Sequence, residues 1–315
     1  MRSMCFLAGI ALASSVSLAQ FAIVSSFNPT DRGAYIAVAY SEDTEEVFAY
    51  SEFGAAIDVY SRAGTFLRTI TRPGPSSNDI DLEVAAASLN VGGTVVPRGT
   101  LLVLNAENTS TQTLFALNTD GTVLASRVLT VAGQCVGGTY HQARGTFFVV
   151  DWTSETIREM DAASGLQLAA FSINSSGNST FDVFYGDMDS LRANGDLFVV
   201  STSQASIREL TPTGTFVRDI NVSTFGLNSM AGIAFDDRRG EAWIASRDGS
   251  LTLLAGFPSD TSGCLADWNQ DATVDGDDVL SFFEQWDQNN ADFNGDGATD
   301  GDDVIGFFVR WDSGC

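Results

Sequence analysis

The middle of the chain repeats itself at a fixed spacing. Residues 147–150 (FFVV) match residues 197–200 (LFVV), and residues 157–160 (IREM) match residues 207–210 (IREL), both with an offset of 50. Segments that recur at intervals of about 40 to 50 residues are typical of stacked or radially arranged copies of one structural unit. This spacing constrains the chain to a repeat architecture.

The units share an order of short apolar strands. The first strand of each unit is predicted at residues 47–50, 101–104, 147–150, 197–200 and 242–245. The second is predicted at residues 57–60, 114–117, 157–160, 207–210 and 251–254. A Gly-led outer strand follows in the first four units, at residues 64–70, 121–124, 165–168 and 214–220. The fifth unit lacks one, whereas residues 21–27 form a strand without a unit of its own.

Units of about four strands are typical of a β-propeller, which protects sheet edges by radial closure. The outer strands, such as residues 214–220 (GTFVRDI), resemble those of NHL-like and YVTN-like propellers. We therefore predict an all-β propeller of about five blades over residues 20–257, in which the N-terminal strand closes the last blade. A tandem of immunoglobulin-type sandwiches is the alternative architecture.

Residues 264–315 contain a duplicated acidic loop whose copies lie 25 residues apart. Calcium takes about six to eight oxygen ligands, which 12-residue loops supply from positions 1, 3, 5, 7, 9 and 12. The predicted ligands of two Ca²⁺ ions are Asp267, Asn269, Asp271, Thr273, Asp275 and Asp278, and then Asp292, Asn294, Asp296, Ala298, Asp300 and Asp303.

Each loop is followed by the pattern Val-Leu/Ile-x-Phe-Phe-x-x-Trp. Val279, Phe282, Phe283 and Trp286 therefore fall at i, i+3, i+4 and i+7, and the second copy repeats this spacing. Such residues share one face of a helix. We predict two helices that bury their apolar faces against each other.

Paired D-x-N-x-D-G-x-x-D-x-x-D loops, each with one helix, resemble a type I dockerin, and the terminal Gly-Cys resembles the planctomycete type. The resemblance implies two bound calcium ions and docking onto a cohesin-like module of a scaffold or cell surface. It assigns partner contacts to loop positions 10 and 11, which are Gly276-Asp277 and Gly301-Asp302. Ala272 replaces the Gly usual at position 6, where the turn favours φ > 0, so we expect the first site to be weaker.

Charge is concentrated in this C-terminal module. Residues 264–315 carry 13 acids and one Arg, half of the net charge of −24. Five carboxylates in each loop repel one another without metal, so we expect ion binding and folding of the module to be coupled. The acidity of the whole chain argues against a nucleic-acid partner, because phosphates require a basic surface.

The N-terminal residues 1–19 are predicted to be a secretory signal peptide. A basic start precedes the apolar run 5–12 and the small-residue sequence Ser17-Leu18-Ala19. This arrangement is typical of a cleaved export signal. We expect a secreted or cell-surface protein, with no transmembrane segment because no run approaches 18 apolar residues. Residues 258–263 are predicted to link the propeller to the C-terminal module.

Cys264 and Cys315 flank the duplicated loops, and we predict a disulfide between them that clasps the ends of the module in an oxidising compartment. The alternative is that the terminal Ser313-Gly314-Cys315 is a sorting or attachment signal. Cys135, in an apolar Gly-rich segment, is predicted to be a buried free thiol.

Few residues of the predicted propeller suggest chemistry. His141, the one histidine, is more simply structural than catalytic. Asp187 and Asp189 lie two apart and share a face if they lie on one strand, as acid–base pairs do, but a solvated turn is the simpler interpretation. Metal-dependent lactonase propellers hold a channel metal on inner strands, and the candidates here are Glu83, Asp187, Asp189, Asn228 and Asp236.

Two functions follow from these features. The first is a non-catalytic recognition platform, tethered by the calcium-binding module, that binds an extracellular glycan or protein through aromatics such as Trp152 and Trp243. Trp152 is alternatively a packing residue between blades. The second is an extracellular hydrolase or lyase acting on polysaccharide or a lactone. The lack of a recognisable catalytic motif favours the first.

Overall fold

The computed structural model describes residues 21–29, 33–52, 54, 56–74, 80–105, 111–131, 133–174, 180–259, 266–268, 274–289, 291, 293 and 298–313. Within these ranges, 22 strands, numbered along the chain, form five four-stranded antiparallel sheets and one two-stranded hairpin. Each four-stranded sheet is one blade of a propeller. The predicted fold class is confirmed, and the alternative of two tandem sandwiches is wrong.

The strands of each blade are given from the axis outwards. Blade 1 contains β2 (Tyr35–Ser41), β3 (Glu46–Ser51), β4 (Ala56–Ser61) and β5 (Phe66–Thr71); blade 2 contains β6 (Ile80–Val84), β9 (Leu101–Asn105), β10 (Thr111–Leu117) and β11 (Val123–Thr130). Blade 3 contains β12 (Cys135–His141), β13 (Thr146–Asp151), β14 (Thr156–Met160) and β15 (Gln167–Ser172); blade 4 contains β16 (Met188–Ser190), β17 (Leu197–Val199), β18 (Ser206–Leu210) and β19 (Phe216–Asn221). Blade 5 contains β20 (Met230–Asp236), β21 (Glu241–Ser246), β22 (Leu251–Ala255) and β1 (Ala22–Phe27).

The N-terminal strand closes the ring. β1 runs antiparallel to β22, with Ala22 opposite Ala255 and Phe27 opposite Leu251. The five innermost strands follow one another around the axis, since β2 contacts both β6 and β20, and β12 and β16 complete the circle. The predicted closure of the last blade by residues 21–27 is confirmed.

Burial changes from the axis to the rim of each blade. Every residue of β2 is buried, because neighbouring blades cover both faces of an inner strand. Such strands read as continuous apolar runs instead of alternating ones. The outermost strand of blade 1 exposes Phe66 and Leu67 instead. Apolar runs mark the middle strands, which is why the sequence repeat is clearest there.

A tight turn with a positive φ precedes each Gly-led outer strand. In blade 1, Gly64 has φ of 83°, and its N–H donates to the Ser61 carbonyl at 2.8 Å. Gly214 repeats this turn in blade 4, with φ of 87° and a bond to Thr211. Glycine adopts positive φ without steric cost, which explains the Gly-led repeat in the sequence.

Two insertions and two helices complete the described structure. The hairpin of β7 (Leu89–Val91) and β8 (Thr94–Val96) lies between β6 and β9, and a short 3₁₀ helix spans Ser223–Phe225. The C-terminal module contains α1 (Gly276–Trp286) and α2 (Gly301–Ser313). None of the helices in the described ranges is long and apolar enough to cross a membrane.

The two helices pack through equivalent aromatic residues. Phe282 of α1 stacks on Phe307 of α2 with ring centroids 4.3 Å apart, and both are fully buried. Trp268, Trp286 and Trp311 lie around this pair, each partly buried. The predicted burial of one helix face against the other is confirmed for Phe282 and Phe307, whereas Phe283 of the same predicted face is 39% exposed.

Several predictions concern residues outside the described ranges. These are the signal peptide of residues 1–19, most of the 258–263 linker, and the Cys264–Cys315 disulfide with its alternative, the terminal attachment signal. Cys135 lies inside them and is a buried free cysteine, as predicted. Burial raises the pKa of its thiol to about 12, so the thiolate form is suppressed.

Candidate functional site

Four carboxyl groups line the axis of the propeller. Asp81 and Glu83 come from β6, whereas Asp189 lies on β16 and Asp187 immediately precedes it. Residues two apart on a strand face the same side, so each strand directs both of its acids inwards. Besides burial, the Asp187 carboxyl group raises the pKa of Asp81, and the Asp189 carboxyl group raises the pKa of Glu83. We call Asp81 and Asp187 the deep pair, and Glu83 and Asp189 the upper pair.

The free edge of β20 holds the two aspartates of β16. As the inner strand of blade 5, β20 pairs with β21 on one side and has no sheet partner on the other in the described structure. Ile233 N donates to Asp187 Oδ2 at 3.1 Å, and Phe235 N donates to Asp189 Oδ2 at 2.7 Å. The aspartates therefore satisfy backbone donors of a strand edge inside the ring. Their predicted position in a solvated turn is wrong, because both are buried.

Strand β12 completes the surroundings of both pairs. The Thr139 hydroxyl donates to Asp189 Oδ1 at 2.9 Å. Two residues earlier, a Cβ at Gly137 would lie 2.2 Å from Asp187 Oδ1. Because glycine has no side chain, the Asp187 carboxyl group occupies that space instead. Sequence reasoning missed Thr139 and Gly137, which carry no motif.

The four carboxyl groups have no basic partner. All 16 basic residues of the chain are arginines, and within the described residues none of them hydrogen-bonds to Asp81, Glu83, Asp187 or Asp189. Burial raises the pKa of all four, and the opposite carboxylate of each pair further raises the pKa of Asp81 and Glu83. Buried like charges close to each other are unfavourable, so the protonated form of these acids is favoured more than it is in water.

The upper pair lies at the floor of a small cavity where the five inner strands end. This cavity, which we call the mouth, has a volume of about 40 Å³. Its rim is charged: Glu42, Asp43 and Asp237 alternate with Arg98 and Arg192. Arg192 links Glu42 at 2.6 Å with Asp237 at 3.0 Å, and Arg98 binds Asp43 at 2.8 Å.

The rim carboxylates differ in proton affinity. Burial, together with Glu42 and Asp189, raises the pKa of Asp237 to about 8, although Arg192 opposes the shift. Asp43 is also desolvated, but its bonds to Arg98 and Arg238 outweigh this and lower its pKa to about 2. The rim therefore combines a permanently charged carboxylate with one that titrates near neutral pH.

The C-terminal module contacts the rim of the mouth at Asp43. Arg310 of α2 donates from Nη2 to the Asp43 carbonyl oxygen at 2.8 Å and lies 3.7 Å from the Asp43 carboxylate. Burial and the nearby Arg238 lower the pKa of Arg310. No sequence pattern indicated this contact, because Arg310 and Asp43 are 267 residues apart.

His141 lies beside a second cavity, of about 200 Å³, that adjoins the mouth at Ser190 and Arg192. Its Nε2 bonds to the Gly195 carbonyl oxygen at 2.9 Å. A carbonyl oxygen only accepts, so Nε2 carries the proton. This bond joins blades 3 and 4, in agreement with the structural interpretation of His141.

The remaining candidates do not join the four axial carboxyl groups. Asn228 is exposed in a loop, and Asp236 is buried in an ion pair with Arg62 at 2.6 Å. Trp243 is fully buried and cannot serve as an exposed binding aromatic. Trp152 stacks on Tyr185 at 4.6 Å, which supports its packing role between blades.

The described part of the acidic loops forms two equivalent helix caps. Asp275 N donates to Asp278 Oδ2 at 2.9 Å, and Asp300 N donates to Asp303 Oδ2 at 2.8 Å. Asp267, Asp278 and Asp303 are buried, whereas Ala298 is exposed. The other predicted ligands, Asn269, Asp271, Thr273, Asp292, Asn294 and Asp296, lie outside the described ranges. Within those ranges, no three His, Cys, Asp or Glu side chains form a group that could hold a metal ion.

Known proteins are similar to this chain in fold only. Neither a protein-family model nor a curated protein matches the chain. Glutaminyl cyclase of Myxococcus xanthus is similar in structure, with a TM-score of 0.55 and 13% identity over 76% of this chain and 97% of that one. A gluconolactonase from Xanthomonas campestris gives a TM-score of 0.47 at 12% identity, covering 71% and 86% of the two chains. Virginiamycin B lyase from Staphylococcus aureus gives 0.45 at 11% identity, covering 75% and 99%.

Proposed function

We propose that this protein is a secreted recognition propeller, tethered to a scaffold or cell surface by a C-terminal module that folds around two calcium ions. The observation that carries the proposal is the duplication of a whole loop-helix unit. Both copies have an acidic loop, a buried carboxylate at position 12 and a helix that starts beside it. Duplicated acidic loops with a shared apolar core are typical of calcium-binding modules.

The donor set suits calcium. Carboxylate, amide and carbonyl oxygens are the ligands of a hard cation, and each loop supplies five acids. Asp278 and Asp303, at position 12, are buried although carboxylates normally face water. When bound, calcium would neutralise these charges, while the position 12 residues would also hold the first turn of each helix.

The helices also present a surface for a protein partner. Leu280 and Ile305 occupy equivalent positions, and each is 63% exposed. The neighbouring Asp277 and Asp302, at loop position 11, are exposed as well. An apolar residue beside a polar one, present in both copies of the loop-helix unit, is the composition expected of a docking surface.

The test is capture of a partner by the full chain. The immobilised protein is incubated with the secreted and cell-surface fraction of its source, with calcium or with EDTA, and bound proteins are identified by mass spectrometry. We expect one partner class that binds with calcium and is lost in the double variant Leu280→Asp/Ile305→Asp. Each single variant should retain capture, because the other copy presents the same surface.

A matched control uses exposed leucines of the propeller. Leu166, just before β15, and Leu168, on β15, are 59% and 57% exposed, so Leu166→Asp/Leu168→Asp makes the same chemical change elsewhere. This variant should capture the partner normally. Identical captured proteins for both double variants, or no dependence on calcium, would refute tethering through α1 and α2.

A further inference from the structure

Three aromatic side chains lie at the end of the propeller axis opposite the mouth. The mouth lies where the inner strands end, whereas Trp152 follows the residue that pairs with Cys135 at the start of β12, and Phe184 and Tyr185 come just before β16. Trp152 and Tyr185 stack with ring centroids 4.6 Å apart, and Phe184 contacts both edge-on, at 5.2 and 4.6 Å. We call Trp152, Phe184 and Tyr185 the aromatic platform. Phe184 is its most exposed member, at 41%.

The backbone of the aromatic platform is strained at Tyr185. Its φ is 46°, in the left-handed region that residues other than glycine rarely adopt. Such conformations persist only where surrounding contacts hold them, and they cluster at sites that bind ligands. Here the Tyr185 ring contacts Trp152 and the Arg247 guanidinium, which lies 5.0 Å from the ring centroid. Tyr185 is thereby partly buried, while the neighbouring Phe184 stays at the surface.

Hydrogen bonds fix the polar groups around Phe184. Its carbonyl oxygen accepts from the Thr202 hydroxyl at 2.6 Å, and its N–H donates to Asp182 Oδ1 at 3.1 Å. The Ser203 hydroxyl donates to Asp182 Oδ2 at 3.3 Å. Asp182 and Ser203 are both exposed. The ring is therefore presented on a fixed backbone, beside a carboxylate and a hydroxyl that solvent or a ligand can reach, and such preorganisation lowers the cost of binding.

The apolar surface that Phe184 exposes is small. An aromatic side chain has about 150–250 Å² of surface, so 41% exposure leaves roughly 60–100 Å². Exposed apolar patches that mark protein–protein contacts are larger than a few hundred Å². One ring beside fixed hydrogen-bonding groups therefore fits a ring-sized unit of a ligand better than the face of a folded protein.

A sugar residue has the matching chemistry. The face of a pyranose ring carries C–H groups, whose slight positive charge is attracted to the negative face of an aromatic ring. Its edge carries hydroxyl groups, which donate to a carboxylate such as that of Asp182 and accept from a hydroxyl such as that of Ser203. A few polar groups placed in this way orient a ligand on an aromatic surface.

The charges near the aromatic platform favour a neutral sugar. Asp182 is an exposed carboxylate, and the chain carries a net charge of −24, so both repel a polyanion. Arg247, the cation beside Tyr185, is already paired with Glu52 at 3.1 Å. A glycan rich in uronic acids therefore fits this site poorly.

We infer that the aromatic platform binds a neutral sugar residue of an extracellular glycan, with the sugar ring packed on Phe184 and its hydroxyl groups bonded to Asp182 and Ser203. This inference rests on the proposed recognition function and names the class of its ligand. The C-terminal module contacts the propeller at Asp43, at the mouth end of the axis. Tethering through the module therefore leaves the platform accessible to the glycan.

The experiment measures glycan binding by the full chain. An array of neutral and uronate-containing oligosaccharides identifies the ligand, and calorimetric titration then gives its Kd. We expect binding to neutral oligosaccharides, with an affinity that falls roughly 10- to 100-fold in Phe184→Ala, the range that loss of an aromatic stacking contact gives. Phe184→Tyr retains the ring and should bind as wild type does.

A matched control removes a different exposed ring. Phe66 is 51% exposed on β5, the outermost strand of blade 1, so Phe66→Ala makes the same chemical change away from the platform. This variant should keep the wild-type Kd. The circular dichroism of all three variants should match that of wild type, which separates loss of binding from loss of the fold.

Three results would overturn the inference: no binding to any neutral oligosaccharide, equal affinity of wild type and Phe184→Ala, or binding to uronate-containing oligosaccharides alone. Partner capture, measured on the same preparations, tests the tether separately. Leu280→Asp/Ile305→Asp should lose capture and keep the glycan, whereas Phe184→Ala should keep capture. Failure of glycan binding with capture intact would overturn the platform alone, and failure of capture with glycan binding intact would overturn the tether alone.

Discussion

The propeller axis and the C-terminal module both concentrate carboxylates, but they stabilise them differently. On the axis, four acids are enclosed by strands, and burial together with the acids opposite raises the pKa of Asp81 and Glu83. In the module, the acids stand on loops at helix N-termini, where backbone N–H groups and the helix dipole favour negative charge. The same residue type is therefore expected to hold protons in one region and calcium in the other. The difference is whether the surroundings of the carboxyl group stabilise its negative charge.

The largest expected effect is that of a chelator, which should affect only the module. Removing calcium leaves five carboxylates per loop to repel one another, so α1 and α2 should lose their helical circular dichroism while the β signal of the propeller persists. A ligand at 100 times its Kd stabilises the folded form by about 2.7 kcal/mol. A spectrum unchanged by EDTA would contradict calcium-dependent folding, and a collapse of the whole β signal would contradict the separation of the two regions.

Removing one position 12 carboxylate should sharpen the difference between the two loops. Asp278→Ala and Asp303→Ala each remove a predicted ligand and a helix cap, and a lost cap costs about 1 kcal/mol. We expect calcium affinity to fall roughly 10- to 100-fold, with Asp303→Ala the more harmful because the first loop, with Ala272 at position 6, is expected to bind calcium more weakly. Calorimetric titration of both variants measures this, and equal losses would show that the loops are equivalent.

The stability that the axis acids contribute should change with pH in the direction opposite to that of a salt-bridged carboxylate. The four acids have raised pKa values in the folded state, so the stability they contribute is present below about pH 4 and is lost as the pH rises through their folded pKa. The rim acid Asp237, with a pKa of about 8, behaves in the same way. The propeller Tm should therefore fall between about pH 5 and 9 at constant calcium. Asp81→Asn supplies an N–H to Asp187 without titrating, and should flatten the slope by up to about 1.4 kcal/mol per pH unit.

The control for this measurement is Asp287→Asn, because Asp287 is exposed at the end of α1. It should leave the slope of Tm against pH unchanged. If Asp81→Asn behaves in the same way, the deep pair does not titrate and the contrast between axis and module fails.

The smallest expected effect concerns the contact between the two regions. Arg310→Ala removes the bond to the Asp43 carbonyl at the rim of the mouth. A partly exposed contact of this kind contributes only about 0–1 kcal/mol, so the Tm should change little. Small-angle scattering should nevertheless show a larger maximum dimension as the module separates from the propeller, whereas Arg310→Lys retains the charge and tests the need for the guanidinium. An unchanged scattering curve for Arg310→Ala would show that other contacts position the module.

The sequence predicted the middle strands of the blades well and the axis poorly. Residues 147–150 and 197–200 are apolar enough to be recognised, because blades cover both of their faces. The inner strands are harder: β12 reads CVGGTYH and β16 has only three residues, so neither shows a clear period. Asp81 was missed although it lies on β6, which reads IDLEV, and although Asp81-Leu-Glu83 has the same two-residue spacing as Asp187-Met-Asp189. Comparing the two spacings could have indicated that both strands carry acids on one face. That the two strands face each other across the axis depends on closure of the ring.

The pairing of β1 with β22 has a consequence for how the chain folds. Blade 5 needs its first and last strands together, with Ala22 opposite Ala255, so nearly the whole propeller lies inside one closing loop. Contacts so distant in sequence form late. Until then β22 has an open edge of unpaired N–H and C=O groups, which another molecule's β1 satisfies equally well. Refolding at high concentration is therefore the condition that favours domain-swapped dimers of this protein.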